Sequence, residues 1–256
     1  MTTAAPTELP PVVVTRAEAS DGPLSSQLRS LGLKVLLWPA ITVERTNTSD
    51  LNDAIARIRD FDWIVFASRH AAAPVLAQLP TQPQGLKVAA VGAATAQVLR
   101  QRGWTIDLVP DDANAGALIS ALAPVAKEGM RVLYPASSRA LPTIAKGLAQ
   151  LGAVVTQVEA YRTDASAALD VADCRAWIGR KQIGAVTFAS PSAVIELERA
   201  LGREDFDKLL SNAAAVAIGP TTARVLTEFG RAPVLAESAT LRGLANTAFR
   251  LVQPKH

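Results

Sequence analysis

Two serines occupy equivalent places in a repeated pattern of the sequence. The stretches IVFASRHAA (64–72) and VTFASPSAV (186–194) both run from apolar residues into Phe-Ala-Ser and then into a helix-like segment. At such a junction Ser68 and Ser190 can cap the helix that follows, or the free N–H groups of the helix start can bind an anion. The two roles are compatible, because a capped helix start still has N–H groups available for a ligand.

A second repeated pair extends the pattern. VGAATAQVLRQRG (91–103) aligns without gaps on IGPTTARVLTEFG (218–230). Each copy places a glycine after an apolar run, and glycine lets an anion approach the backbone closely. The expected helix starts at residues 92–95 and 219–222 are therefore further candidates for anion binding.

Other chemistries find little support in the residues. The chain has two histidines, His70 and His256, and no Cys/His cluster with metal-ligand spacing. It lacks the glycine-rich phosphate loop, the three-glycine dinucleotide motif and the serine elbow of hydrolases. Ser68 and His70 lie two residues apart on a turn, where side chains seldom point together. If the protein is an enzyme, we expect it to work without metal, nucleotide or nucleophile, mainly by positioning its substrate.

The elements that must position these groups form an alternating pattern. Short valine-rich runs, buried in character along their whole length, alternate with stretches of helical periodicity, and this alternation predicts parallel α/β sheets. The runs are PVVVTR, KVLLWP, WIVFAS, KVAAVG, IDLVP, RVLYPAS, AVVTQV, AVTFAS, AAVAIG and APVLA. Ligands of such sheets bind at the carboxyl ends of the strands, where the serines and glycines stand.

The repeats also predict the domain organisation. A third, weaker match relates VVVTR…LRSLGLKV near the N-terminus to VLYPA…LAQLGAVV, which begins at Val132. The chain therefore reads as three strand–helix units that occur twice, which favours duplication and two similar α/β domains. Two such domains facing each other would form a cleft, a common place for a ligand site.

Composition limits the function classes. The chain has 256 residues, 49% hydrophobic and 19% charged, as expected for a globular protein with a sizeable core. A net charge of +3 is a weak basic bias that agrees with an acidic ligand without requiring one. No block of lysine and arginine marks a nucleic-acid surface, so we expect no nucleic-acid partner.

The compartment follows from cysteine usage and the N-terminus. Cys174 is the single cysteine and cannot form an intramolecular disulfide. Residues 1–10 lack the features of a secretory signal and are expected to be a disordered tail. No apolar run approaches the ~20 residues that span a bilayer. These features predict a cytoplasmic protein with no membrane partner.

Together the motifs resemble a known family. VFASRHA, VGAATAQVLRQRG, VLYPASSRALPTIAKGLAQLGAVVTQVEAYRT, VTFASPSAV and AIGPTTARVLTEFG occur in this order, and the set resembles the uroporphyrinogen-III synthases of tetrapyrrole biosynthesis. Each motif alone is weak, whereas the ordered set with AYRT in the middle is specific. The resemblance covers nearly the whole chain after the N-terminal tail.

The resemblance implies a reaction. The substrate would be hydroxymethylbilane, a linear tetrapyrrole with eight carboxylates, and the enzyme a carbon–oxygen lyase that eliminates water from ring A. It would close the macrocycle while inverting ring D, through a spiro intermediate and without cofactor or metal. The many carboxylates suit a site built from helix N-termini. A monomer is expected.

The resemblance also implies a topology that the repeats alone do not. One domain would combine residues 11–38 with residues 165–256, and the other would comprise residues 46–157. Residues 39–45 and 158–164 would then be the two linkers that cross between them.

Site residues follow from the same resemblance. Tyr161 of AYRT would be the catalytic residue, because a phenol is protonated at neutral pH and can donate to a departing hydroxyl; packing between the domains is the structural alternative. Residues near the carboxyl ends of the strands would contact the substrate. Each arginine among them could equally be an ordinary solvent-exposed side chain. These residues are Arg16, Ser68, Arg69, Gly92, Thr95, Ser137, Arg139, Ser190, Pro191, Ser192, Gly219, Thr221 and Thr222.

Two other classes stay open at this level. A two-domain module that closes on a small anion without chemistry would suit duplicated lobes, but such modules usually carry an export signal. A nucleotide-sugar transferase with two facing α/β domains is disfavoured by the absence of a glycine-rich loop and by the short chain.

Overall fold

A computed structural model describes residues 9–46 and 48–254. The chain divides into two compact units: unit 1 joins the residues up to Thr42 with those from Asp164 onward, and unit 2 is Val43–Thr163. Most of the expected disordered tail, residues 1–10, and the terminal His256 lie outside the described residues.

Short strands and helices alternate along the described chain. The strands are β1 (Val12–Val14), β2 (Val35–Leu37), β3 (Ile41–Arg45), β4 (Trp63–Phe66), β5 (Lys87–Ala90), β6 (Arg131–Ser137), β7 (Val154–Ala165), β8 (Ala185–Phe188), β9 (Ala214–Ala217) and β10 (Val234–Leu235). The helices are α1 (Pro23–Ser30), α2 (Ser49–Ala56), α3 (Arg69–Gln78), α4 (Ala93–Arg100), α5 (Ala115–Leu122), α6 (Thr143–Gln150), α7 (Val171–Arg180), α8 (Pro191–Leu201), α9 (Arg203–Asn212), α10 (Pro220–Glu228) and α11 (Leu241–Val252). Two 3₁₀ turns cover Ile58–Asp60 and Ala123–Val125.

Unit 1 is built on a sheet with the strand order β10-β9-β8-β1-β2. Its strand pairs are parallel. The interior strand β1 is fully buried, which explains its uninterrupted run of valines. Beside it two buried threonines bond across the strands: Thr15 Oγ1 donates to the carbonyl of Thr187, and Thr187 Oγ1 donates to the carbonyl of Val13, each at 2.8 Å.

Unit 2 is built on a sheet with the order β3-β7-β6-β4-β5. The pairs β4–β5, β4–β6 and β6–β7 are parallel. Side chains of β4 alternate between the two faces: Ile64 and Phe66 pack in one hydrophobic cluster, Trp63 and Val65 in the other. Burial of a large side chain such as Phe66 contributes about 1.5–3 kcal/mol.

The two sheets repeat the same order of corresponding strands. β9-β8-β1-β2 of unit 1 matches β5-β4-β6-β7 of unit 2, as the three sequence matches pair them. These parallel sheets with intervening helices confirm the predicted α/β fold class.

One predicted strand is wrong. IDLVP forms only an isolated bridge, between Leu108 and Ala89. The neighbouring carboxylate explains the interruption: Asp107 Oδ2 accepts the N–H of Val88 at 2.8 Å and replaces a partner that a ladder would provide. No helix in the described ranges is long and apolar enough to traverse a bilayer.

Candidate active site

Tyr161 lies in the wall of a cavity in unit 2. The cavity has a volume of about 390 Å³. Its lining comes from β3, β7, the N-terminal half of α3 and the C-terminal half of α4. The lining residues are Val43, Arg69, His70, Ala73, Val98 and Tyr161. The site therefore combines a phenol, an imidazole and a guanidinium with apolar walls.

An irregularity between β6 and β7 sets the direction of the Tyr161 side chain. Ala136 pairs with Glu159, but Ser137 pairs with Tyr161, so Ala160 is an extra residue in β7. Strand alternation would place Ala160 and Tyr161 on opposite faces, whereas both pack in the same hydrophobic cluster. The bulge thus brings the phenol to the face of the sheet that α3 covers.

The phenol oxygen of Tyr161 is held by two hydroxyls. Ser68 and Ser137 both hydrogen-bond its hydroxyl group. Burial raises the pKa of Tyr161 above its usual value, and the two serine hydrogen bonds act in the opposite direction. The group is therefore a neutral proton donor across the physiological pH range.

The two serines are themselves fixed by their positions. Ser68 is the N-cap of α3, and its Oγ accepts the N–H of His70 at 3.1 Å. Ser137 ends β6, where its Oγ lies 3.2 Å from Thr163 Oγ1 and accepts the N–H of Arg139 at 3.3 Å. The predicted site residues Tyr161, Ser68 and Ser137 are thus in direct contact.

Two aromatic or titratable groups near Tyr161 were not predicted to act there. The ring of His70 lies 5.7 Å from the ring of Tyr161, centroid to centroid. Tyr134 is buried on β6, and burial together with the charge of Tyr161 raises its pKa to about 12. The position of His70, two residues after Ser68 in the first turn of α3, could have indicated that it lies at the site. From the sequence, His70 was considered only as a partner of a nucleophilic Ser68.

The helix starts differ in how they are capped. In unit 1 the N-cap Ser190 accepts the N–H of Ala193 at 3.3 Å, as Ser68 does for its own helix. Gly92 and Gly219 are the N-caps of α4 and α10, with no side chain to accept a first-turn N–H. Pro191 and Ser192 are half-buried in the first turn of α8.

The threonines of these starts divide by burial. Thr95 and Thr222 are 6% and 2% exposed, so their side chains serve the packing of α4 and α10. Thr221 is half-buried at the start of α10. The exposed residues of these two first turns are Ala93 and Ala94 in α4 and Pro220 in α10.

The predicted arginines have different surroundings. Arg69 is exposed at the cavity, and Arg139 is exposed just after β6. Arg16 is only 12% exposed, and its Nη1 lies 3.1 Å from Glu18 Oε2. Glu18 in turn accepts the N–H of Ser25 at 2.7 Å near the start of α1. In unit 1, Arg16 therefore takes part in a charge arrangement that holds α1.

Within residues 9–46 and 48–254, no group of three or more His, Cys, Asp and Glu side chains is placed to hold a metal ion.

The fold and the Tyr161 cavity together define a parallel α/β protein whose candidate acid is a phenol. A family model described as "Uroporphyrinogen-III synthase HemD" matches residues 22–246. The chain belongs to the uroporphyrinogen-III synthase family, whose members are cyclising lyases of porphyrin biosynthesis.

Curated relatives and solved structures agree with this family. The chain is 30% identical to a uroporphyrinogen-III synthase of Synechococcus elongatus over 244 residues, 91% of this chain and 92% of the relative. It is 31% identical to a chloroplastic uroporphyrinogen-III synthase of Oryza sativa subsp. japonica over 231 residues, 86% of this chain and 73% of the relative.

The fold is similar to two crystal structures. The first is a mutant uroporphyrinogen III synthase of Thermus thermophilus, with a TM-score of 0.67, 19% identity and coverage of 93% of this chain and 96% of that one. The second is the uroporphyrinogen-III synthetase of Helicobacter pylori, with a TM-score of 0.62, 17% identity and coverage of 95% and 100%.

Proposed function

We propose that this protein converts hydroxymethylbilane to uroporphyrinogen III by a cyclising dehydration in which ring D is inverted through a spiro intermediate. The observation that carries the proposal is the Tyr161 phenol, held by two hydroxyls in the wall of a cavity, in a chain of this family. A module that only binds a small anion has no comparable support, because the relatives are named as synthases.

Tyr161 is the proposed general acid. Its proton would pass to the ring A hydroxyl as the carbon–oxygen bond breaks with its electron pair on oxygen, so that water leaves. The methylene carbon that carried this hydroxyl on ring A becomes a cation stabilised by conjugation with the pyrrole nitrogen, and ring D attacks it. The proton that ring D loses when its aromatic character returns would restore the phenol, so the net products are the macrocycle and water.

The carboxylates of the substrate are proposed to bind where cationic side chains and free N–H groups meet strand ends. Backbone N–H groups at the starts of α4 and α10, next to Gly92 and Gly219, suit carboxylates because the dipole is positive at that end of a helix. Arg69 and Arg139 are exposed and can reach a charged group. The remaining proposed contacts are Arg16, Ser68, Thr95, Ser137, Ser190, Pro191, Ser192, Thr221 and Thr222.

Three broader statements belong to the same proposal. The two units would be the two domains, one discontinuous in sequence, and the substrate would be taken up between them. The reaction would need no metal and no nucleotide, as the missing sequence motifs indicate, so a chelator should leave activity intact. A monomer in the cytoplasm stays a prediction.

The deciding experiment is an assay with freshly prepared hydroxymethylbilane, followed by separation of the porphyrinogen isomers after oxidation. Spontaneous closure gives the uninverted isomer I, so a reaction without protein is the control. We expect isomer III in excess and a rate above that of the control. Isomer I alone, formed at the rate of the control, would show that the proposed function is wrong.

A further inference from the structure

The fold places two serines from separate elements beside Tyr161. Ser137, at the end of β6, pairs with Tyr161 across β6 and β7, and Ser68 caps the start of α3 two residues before His70, whose ring lies 5.7 Å from the Tyr161 ring. Both serines hydrogen-bond the phenol hydroxyl. Each serine is already oriented by a second contact: the N–H of His70 donates to Ser68 Oγ at 3.1 Å, and Ser137 Oγ lies 3.2 Å from Thr163 Oγ1. The backbone supports the pair as well, since the N–H of Ser138 donates to the carbonyl of Tyr161 at 2.9 Å.

A phenol that gives up its proton leaves a phenolate, and a phenolate in a half-buried place is costly without hydrogen-bond donors. A serine hydroxyl can turn to donate to that oxygen, because its proton rotates freely. Ser68 Oγ already accepts the N–H of His70, and Ser137 Oγ accepts the N–H of Arg139. When Thr163 is the donor in its contact with Ser137, each serine has its own proton available for the phenolate. Two such donors stabilise the product of proton transfer more than the starting phenol.

We propose that Ser68 and Ser137 are positioning residues for Tyr161, which aim the phenol at the departing hydroxyl and donate hydrogen bonds to the phenolate left behind. This inference rests on the proposed function of Tyr161 as the acid. It is an alternative to the proposal that these two serines bind substrate carboxylates, and the second test below separates the two roles. It also assigns Thr163, whose hydroxyl contacts Ser137, a supporting place in the same arrangement.

The proton balance of the step stays within the reaction. The phenol proton goes to the departing oxygen, and the serines keep their own protons while they donate hydrogen bonds. The proton released from ring D then returns to the phenolate. Titratable or charged groups near the phenol in the described residues are Tyr134 of β6, and Arg69 and His70 of α3.

The first test measures the titration of Tyr161 without any substrate. The chain has two tyrosines, so protein labelled with 3-fluorotyrosine gives two ¹⁹F resonances, which Tyr134→Phe and Tyr161→Phe assign. Loss of a donor to the phenolate in Ser68→Ala or Ser137→Ala should raise the pKa of Tyr161. Ser190→Ala removes the corresponding N-cap in unit 1 and is the matched control, since it should leave that pKa unchanged.

The second test separates positioning from carboxylate binding. Each serine-to-alanine variant should lower kcat about tenfold, the worth of one hydrogen bond to a charged group, and change KM less than about twofold. Because the acid must be protonated, activity is lost as pH rises through its pKa, so the alkaline limb should move to higher pH in both variants. Ser68→Thr and Ser137→Thr keep the hydroxyl and should restore most of the loss.

The outcomes are distinct. A raised KM with unchanged kcat and an unchanged Tyr161 titration would mean that the serines bind substrate, and the inference would be wrong. A shifted titration in a wild-type protein that forms no isomer III would instead contradict the proposed function while leaving the hydrogen-bond arrangement supported. Circular dichroism of each variant checks that it is folded before either measurement.

Discussion

The corresponding strands β7 and β2 of the two units differ in length, and only the longer one, β7, carries the proposed general acid Tyr161. The long strand β7, which starts in unit 2, continues from Val154 to Ala165 and carries Tyr161 past the bulge. In unit 1 the corresponding strand β2 ends at Leu37. Both tyrosines of the chain, Tyr134 and Tyr161, lie in unit 2. The duplicated sheet thus supplies equivalent helix starts twice, whereas the proton donor belongs to one copy.

The helix starts also differ between the copies. A Cβ added at Gly92 would lie 3.3 Å from the Cβ of Ala113, so the chain itself leaves little room there. A Cβ added at Gly219 would meet nothing within 4 Å, and the extended backbone (φ −166°) suits any residue. Unit 1 therefore keeps an open glycine that its own packing does not require, which agrees with a ligand approaching the backbone.

The largest effect is expected from removing residues 1–38, which tests whether the two units are separate domains. This deletion takes away β1, the strand between β8 and β2 at the interior of the unit 1 sheet. Unit 1 should lose its stable structure, because β8 would expose an unpaired edge and its apolar faces. Hydrogen exchange should show fast amides from residue 164 onward and continued protection in residues 43–163. Loosening confined to residues 43–163 would contradict the pairing.

The next largest effect concerns the tyrosines of unit 2. Tyr161→Phe keeps the ring but removes the proton, so turnover should fall by a factor of ~10² to 10⁴, with little change in folding or binding. Isomer I should rise as spontaneous closure overtakes the enzyme, while the residual enzymatic product remains isomer III. Tyr134→Phe is the matched control and should keep its turnover. Equal activity of Tyr161→Phe and the wild type would assign Tyr161 a structural role.

The third prediction concerns Tyr134 and the loss of folding stability at alkaline pH. Burial raises its pKa from 10.0 to about 12, so the folded state favours the protonated phenol. This contribution is fully present below pH 10 and is lost as pH rises from 10 to 12, a total of about 3 kcal/mol in the free energy of unfolding. Denaturant unfolding at a series of pH values should show a smaller alkaline loss in Tyr134→Phe than in the wild type. Parallel losses in the two proteins would argue against this effect.

The smallest effect is expected from the glycine pair. Gly219→Ala and Gly92→Ala both replace an N-cap glycine, so each should cost up to about 1 kcal/mol in stability. If a carboxylate approaches the backbone at Gly219, the added methyl group should raise KM about tenfold, or about 1.4 kcal/mol. Steady-state kinetics and urea unfolding measure the two quantities separately. An unchanged KM in Gly219→Ala would remove this helix start from the proposed binding site.

The site was only partly visible in the sequence. Ser68 and Ser190 were recognisable as helix starts because a cap depends on residues next to each other in the chain. Arg16 was grouped with the exposed arginines, yet its side chain is nearly buried beside Glu18. Whether a charge faces solvent or a carboxylate depends on how the following segment folds back, and residue type alone does not determine this.

The sequence by itself determined the alternation of strands and helices, the duplication and the family, since these follow from local periodicity and from the order of motifs. The tertiary structure alone decided that the oxygen of Tyr161 meets Ser68 and Ser137. In a parallel sheet, neighbours come from distant segments: β6 lies between β7 and β4, and α3 begins just after β4. A single extra residue, Ala160, then directs the phenol to the face where those hydroxyls lie. The physical reason is that a bulge reverses the alternation of side chains after it, and its position depends on the pairing of two strands.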